Sequence, residues 1–110
     1  MNVLHTRPGI SFISVSINTS GVFSVIPAHS QRRIRVYAAH LANSLTTGFQ
    51  WGSSNTMLSG TQNLAINQSI NLDYNPLGWF EAITQEALTI ALAATPTGGF
   101  GGHITYAYIP

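Results

Sequence analysis

The chain has 110 residues, no cysteine and no lysine, and its four arginines and three acidic residues give a formal net charge of +1. This length favours one domain with one hydrophobic core, and the lack of cysteine excludes disulfides and thiolate metal sites. Only 6% of the residues are charged, against about 25% in an average domain. The polar residues of the chain are mainly uncharged, with 35 Ser, Thr, Asn and Gln residues. We therefore expect a neutral surface that associates with copies of itself or with a larger assembly.

The chain has no apolar run of the length that a classical secretion signal or a membrane span needs. We therefore expect a protein that is not exported by such a signal and that makes no membrane contact.

Short alternating segments predict β-strands in the first half of the chain. Ile13, Val15 and Ile17 alternate with serines, and a second strand over residues 22–26 ends at Pro27. The longest early strand is predicted over residues 32–41. We predict Ile34, Val36 and Ala38 on one face of this strand and Arg33, Arg35, Tyr37 and Ala39 on the other.

Several shorter strands are predicted in the middle of the chain. Phe49 and Trp51 lie on one face of a strand that ends in the polar residues 52–55. The other short segments are residues 56–58, Leu64 with Ile66, and Ile70 with Leu72 and Tyr74.

The segment GWFEAITQEALTIALAA, residues 78–94, predicts a β-hairpin. Leu88, Ile90 and Leu92 recur at every second position, as in a strand with one buried face. A polar turn at residues 84–86 separates this strand from the aromatic pair Trp79 and Phe80.

The chain closes with a glycine-rich segment and a last strand. Residues 95–102, TPTGGFGG, predict a flexible turn around Phe100, and Ile104, Tyr106 and Tyr108 share one strand face. Eight to ten short strands, with turn signals every 8 to 12 residues or so, predict an all-β, single-domain antiparallel β-sandwich of jelly-roll topology. We assign this domain to residues 11–110 and interpret residues 1–10 as a possible N-terminal arm.

Acid-base catalysis is limited by the three carboxylates, Asp73, Glu81 and Glu86. In the predicted hairpin, Glu81 and Glu86 approach each other across the turn, as the two carboxylates of a glycosidase do. The interpretation that we prefer is that both are solvated ends of a turn, where no large pKa shift arises. We predict no catalytic residue.

The four histidines, His5, His29, His40 and His103, show neither HxH nor HExxH spacing, so the sequence predicts no metal site. The glycine cluster at residues 98–102 lacks the lysine of a phosphate-binding loop. We accordingly expect no cofactor.

Arg32, Arg33 and Arg35 form the one local concentration of charge and are candidates for contact with a partner. The partner chemistry is a phosphate or an acidic protein surface, and the structural alternative is stacking of Arg33 and Arg35 beside Tyr37. Because the chain is only weakly basic, we expect no direct nucleic-acid binding.

Trp51 and Trp79 are candidates for a platform on which a sugar ring stacks. Each has an aromatic neighbour, Phe49 and Phe80 respectively. Packing in the core or in an interface is the alternative that we favour, because large aromatic side chains dominate such sites.

The order of motifs resembles that of small jelly-roll virion proteins of tailed bacteriophages, of the capsid decoration, cement or knob type. The motifs are RRIRVYAAHLAN, FQWGSS, NLDY, GWFEAITQEALTIALAA and GGHITYAYIP, and they cover about residues 25–110. In this resemblance the IRV strand is Ile34 to Val36, the hairpin is Trp79 to Leu88, and the terminal strand is Ile104 to Tyr108. Residues 1–24 have no counterpart and are interpreted as a capsid-clamping arm or an extra strand.

The resemblance implies a non-enzymatic virion protein, assembled in the host cytoplasm, that stabilises the capsid exterior as a homotrimer like those of the tumour-necrosis-factor family. Its expected partners are copies of itself and the major capsid protein or another virion protein. Tyr37, Tyr106 and Tyr108 are the expected contacts between copies. The alternative function is a carbohydrate-binding β-sandwich on a virion or cell surface.

Overall fold

A computed structural model describes residues 10–44, 47–54, 56–65, 67–96 and 98–110 of the chain. These residues form ten β-strands, and none of them belongs to a helix that is long and apolar enough to cross a membrane. The strands are β1 (Ile10–Ile17), β2 (Gly21–Ile26), β3 (Arg33–Asn43), β4 (Thr47–Ser53), β5 (Thr56–Met57), β6 (Gln62–Leu64), β7 (Ser69–Leu72), β8 (Phe80–Glu81), β9 (Leu88–Leu92) and β10 (Phe100–Ile109).

The strands form two antiparallel sheets that pack face to face. The first sheet has the order β1-β10-β3-β7, and β8 pairs with β3 beyond the end of β7. The second sheet has the order β2-β9-β4-β5, and β6 pairs with the other end of β4. The predicted all-β sandwich is therefore confirmed. Many successive strands lie in different sheets, although β4, β5 and β6 stay in the second and β7 and β8 in the first, so most sheet neighbours are distant in sequence.

The core lies between the two sheets and is centred on three aromatic rings. Phe49 stacks on Phe100 with ring centres 5.6 Å apart, and Trp51 meets Phe49 edge to face at 5.0 Å. Alternation along the strands places most of their apolar residues on the inward face. The other fully buried aliphatic side chains are Ile26, Ile34, Val36, Leu41, Leu88, Ile90 and Ile104.

The predicted hairpin over residues 78–94 is wrong, although its turn and its aliphatic strand are present. Leu88, Ile90 and Leu92 are buried as expected, but β9 pairs with β2 and β4 in the second sheet. The aromatic strand β8 pairs instead with β3 in the first sheet. The backbone after β8 stays on β3, because the Ala82 amide donates to the Ile34 carbonyl at 2.9 Å. The turn therefore connects two sheets.

The predicted faces of β3 are correct only up to Val36. Tyr37 is an extra residue, because Val36 pairs with Tyr106 while Ala38 pairs with Thr105. Such a β-bulge reverses the alternation beyond it. Ala39 is consequently buried on the core side, and Ala38, predicted to share the face of Val36, points outward.

The glycine-rich segment is only in part the flexible turn that was predicted. Gly101 and Gly102 belong to β10, and Phe100 is 1% exposed in the core. A Cβ atom on Gly101 would overlap the Val15 carbonyl oxygen of β1. A Cβ atom on Gly102 would overlap the His40 carbonyl oxygen of β3. The two glycines therefore allow β10 to lie close against both neighbours.

Some predictions concern residues outside the described ranges. They are the N-terminal arm up to residue 9, including His5, and the assignments of Asn55 and Ile66. Ile10, the last residue assigned to the arm, is the first residue of β1.

Candidate functional site

The first candidate site is an ion-pair cluster at the start of β3. Arg35 donates from Nε to Glu81 Oε2 at 2.6 Å, and its Nη2 also contacts this oxygen. Arg33 Nε lies 3.0 Å from Glu81 Oε1 as an ion pair. The pairing follows from the register, because Arg35 lies opposite Glu81 across the β3–β8 ladder. The hydrogen bond accepted by Glu81 holds the pKa of Arg35 above its ordinary value.

This cluster changes the interpretation of the arginines as partner contacts. Glu81 engages Arg33 and Arg35, whose side chains are 40% and 29% exposed. Arg32, in contrast, lies before β3 and is exposed. Because Glu81 offsets one of the two β3 charges, Arg32 is the guanidinium best placed to meet an acidic partner.

The two glutamates of the hypothetical catalytic pair have separate partners on different sheets. Glu81 is held by β3, whereas Glu86 Oε1 accepts a hydrogen bond from Ser53 Oγ of β4 at 2.8 Å. Ser53 Oγ in turn accepts from the Ile83 amide at 2.8 Å. Both glutamates are half-buried and contact other side chains, so they are less solvated than the predicted turn ends. With no hairpin, the geometric reason for a glycosidase pair is lost.

The second candidate site is a shallow depression beside the ion pairs. It has a volume of about 340 Å³ and is lined by residues 77–81 and Arg35. Trp79 is 47% exposed, and its indole Nε1 donates to the Asp73 carbonyl at 2.7 Å, which fixes the ring. Leu77 is 83% exposed at the same place. A fixed, accessible indole beside charged groups suits either a sugar ring or an apolar protein contact.

The structure separates the two tryptophans that were predicted as sugar platforms. Trp51 is 4% exposed and packs against Phe80 at 4.9 Å between ring centres. It is a core residue and has no surface on which a ligand can stack. Of the two candidates, Trp79 alone remains.

The three tyrosines expected between copies make contacts within the chain. Tyr106 and Tyr108 lie opposite the buried Val36 and Ile34, so they face the core side of the first sheet. Tyr108 Oη donates to the Pro27 carbonyl at 2.8 Å. Tyr37 is 8% exposed and stacks on Tyr74 at 6.1 Å between ring centres. Their role between copies stays a prediction.

The fold brings together two histidines that are far apart in sequence. His40 of β3 and His103 of β10 are direct cross-strand partners with ring centres 5.9 Å apart. His29 lies elsewhere, against Tyr108 at 5.2 Å. The described residues contain no group of three or more His, Cys, Asp or Glu side chains that could hold a metal ion. The spacing rules used for the sequence missed this pair, because they detect ligands on one strand or helix only.

Charge is confined to one region of the described structure. Its charged side chains belong to residues 32–35 or to residues 73–86. The outward face of the first sheet beyond Tyr37 has no charged side chain in the described residues, and it exposes 76% of Phe12. The outward face of the second sheet is likewise uncharged in its described strands, and Val22 there is 58% exposed. Such faces have little protection against association.

The fold and these sites define an all-β protein with two antiparallel sheets, a charged region with an exposed indole, and two neutral sheet faces. Comparisons with protein-family models, with curated proteins and with solved structures find no match to the chain.

Proposed function

We propose that this protein is a non-enzymatic structural subunit of a phage virion that associates with copies of itself and stabilises the outside of the capsid. The observation that carries the proposal is the separation of charge from the two sheet faces. Uncharged faces with exposed apolar side chains favour contact between β-sandwiches. The charged region with Arg32 is left for a second partner of a different chemistry, a capsid surface with acidic groups.

The strand order supports the part of the proposal that concerns topology. β1, β10, β3 and the β7/β8 edge form one sheet, and β2, β9, β4 and the β5/β6 edge form the other. We interpret this order as a jelly roll, a fold of eight strands in two sheets, with β5/β6 and β7/β8 each counted as one edge strand. Jelly rolls are common in viral capsid proteins, but the fold is also used for other functions.

The surface that we assign to contact between copies is the outward face around Phe12. Phe12 lies on β1 opposite Thr105 of β10, and Thr105 lies opposite Ala38 of β3. This row is apolar or neutral across three strands, so a second copy can cover it without burying an unpaired charge. The expected assembly is a trimer.

The test is the mass of the protein in solution. The wild-type chain at micromolar concentration should show about three times the chain mass of 11.8 kDa by light scattering. Phe12→Glu places a charge in the proposed contact and should give the mass of one chain. Leu77→Glu is the matched control, because Leu77 is also exposed but lies in the loop before β8. A wild-type mass of 11.8 kDa, or equal effects of both variants, would contradict the proposed contact.

The virion location has a separate test. The purified protein should co-sediment with empty phage capsids that lack it, and Arg32→Glu should reduce the bound fraction. Co-sedimentation that is no greater than that of an unrelated protein of similar size would exclude the capsid role.

A carbohydrate-binding module is the second candidate function, and the exposure of Trp79 favours it. In the variant Trp51→Phe, Trp79 is the single tryptophan and reports directly on ligand binding. Addition of a recognised oligosaccharide should shift and enhance its fluorescence, because sugar stacking removes water from the indole. Trp79→Ala should abolish binding. An unchanged emission with every glycan of a broad panel would exclude this function.

A further inference from the structure

We propose that His40 and His103 form a binding site for a transition-metal ion of the Zn²⁺ or Cu²⁺ class on the outward face of the first sheet. The two residues are direct partners in the antiparallel ladder between β3 and β10. Directly opposed residues have Cβ atoms about 4.5–5.5 Å apart and point to the same face of the sheet. Both imidazoles therefore extend from one place on a rigid scaffold.

The observed geometry is close to that of a chelate. Two imidazoles that bind one Zn²⁺ at about 2.1 Å in tetrahedral geometry have ring centres about 5 Å apart. The rings of His40 and His103 are 5.9 Å apart and inclined by 31°. Both side chains are exposed, so small rotations about their side-chain bonds bring the rings to ligand distance without any change in the core.

The surroundings of the pair are polar and uncharged. Ser14 lies opposite His103 on β1, and Asn71 lies opposite His40 on β7, which gives one row of polar residues across four strands. On one side of this row are Phe12, Thr105 and Ala38, and on the other are Ser16, Gly101, Ala42 and Ser69. No cation in these rows repels a metal ion.

The ligand set selects the class of metal. Imidazole nitrogen suits Zn²⁺, Cu²⁺ and Ni²⁺, whereas Mg²⁺ and Ca²⁺ require oxygen ligands. The Irving–Williams order predicts that Cu²⁺ binds more tightly than Zn²⁺. With two protein ligands, water completes the coordination sphere. The proposal does not depend on a virion role, because it rests only on this cross-strand pair.

Isothermal titration calorimetry with ZnCl₂ and with MgCl₂ tests the site. We expect one Zn²⁺ per chain and no heat of binding with Mg²⁺. Because the second imidazole binds intramolecularly, either His40→Ala or His103→Ala should weaken Zn²⁺ binding by roughly 100-fold. His29→Ala is the matched control, because His29 lies elsewhere, against Tyr108, and it should retain the wild-type affinity. Wild-type affinity in both His40→Ala and His103→Ala, or loss of binding in the control variant, would overturn the proposal.

A second readout locates the ion on the sheet independently of affinity. Substoichiometric Cu²⁺ is paramagnetic and broadens the NMR signals of nearby nuclei. The amide signals of Ser14, His40, Asn71 and His103 should broaden first, while those near Trp79 remain sharp. Broadening that begins elsewhere, with these four signals unaffected, would also overturn the proposal.

Discussion

At the scale of single residues, Tyr108 connects the last strand to the link between β2 and β3. Its ring lies on the inward side of the first sheet next to Tyr106, with ring centres 5.6 Å apart. Its hydroxyl donates to the Pro27 carbonyl, 81 positions away in the sequence. Burial of the ring, with a smaller contribution from Tyr106, raises the pKa of Tyr108 above its ordinary value of 10.0.

This raised pKa predicts a loss of stability in alkali. The tyrosine of the unfolded chain ionises at a lower pH than that of the folded chain. The stabilisation that the neutral Tyr108 side chain gives to the folded state is therefore fully present below about pH 10. It is lost as the pH rises through the higher pKa of the folded state. Tyr108→Phe should reduce the fall in the free energy of unfolding above pH 10, as measured by urea denaturation at several pH values.

The same variant also tests the hydrogen bond at neutral pH. Loss of the Tyr108 hydroxyl should lower the free energy of unfolding by about 1 kcal/mol at pH 7. Tyr106→Phe is the control, because the Tyr106 hydroxyl has no hydrogen bond within the described residues. Equal stability of Tyr108→Phe and wild type at both pH 7 and pH 11 would contradict the assigned role.

At the scale of secondary-structure elements, the central position of β10 depends on two glycines. Gly102 has a φ angle of +153°, and a methyl group there would collide with the β3 backbone at His40. Gly102→Ala should therefore cost about 3 kcal/mol of stability in urea denaturation, as expected for overpacking together with backbone strain. Gly60→Ala is the matched control, since no atom lies within 4 Å of its added Cβ, and it should change stability little. A mild effect of Gly102→Ala would mean that β10 can move away from β3.

The alternation of residues along single strands could be read from the sequence, and the pairing between strands could not. The periodicity of β1 and β9 correctly predicts the buried sets that include Val15, Ile17, Ile90 and Leu92. The hairpin prediction failed because local order alone does not decide which strand accepts the backbone hydrogen bonds after Phe80. The β3 bulge at Tyr37 has no signal of its own in the sequence, so the faces beyond it were reversed.

For the candidate sites too, the sequence shows which residues are neighbours along the chain. It does not show which residues the strand pairing brings together. The cluster Arg32 to Arg35 is visible in the sequence, but the pairing of Arg33 and Arg35 with Glu81 depends on the β3–β8 register. Trp51 and Trp79 have similar aromatic neighbours in sequence, and only the packing of the sheets makes one a core residue and the other a surface residue. His40 and His103 meet because β10 returns to the side of β3, a pairing that no local motif encodes.

At the scale of the whole molecule, charge divides the surface of the described residues into two kinds of region, and each is assigned to one of the proposed contacts. The faces around Phe12 and Val22 are neutral, so association there depends on burial of apolar area. The region around Arg32 and the Arg35–Glu81 pair is charged, so contact there depends on electrostatic attraction. The two proposed contacts, between copies and with a capsid, should therefore respond differently to salt.

The dependence on salt distinguishes the two proposed contacts. The screening length falls from about 10 Å at 0.1 M salt to about 3 Å at 1 M, which weakens exposed charge pairs and leaves apolar burial intact. In analytical ultracentrifugation the sedimenting mass of the protein should be the same at 0.1 M and 1 M NaCl. Co-sedimentation with capsids should decrease over the same range, and the Arg32→Glu variant should show the smaller salt dependence. Dissociation of the copies at 1 M NaCl would place charged residues in the contact between copies and would contradict its assignment to the face around Phe12.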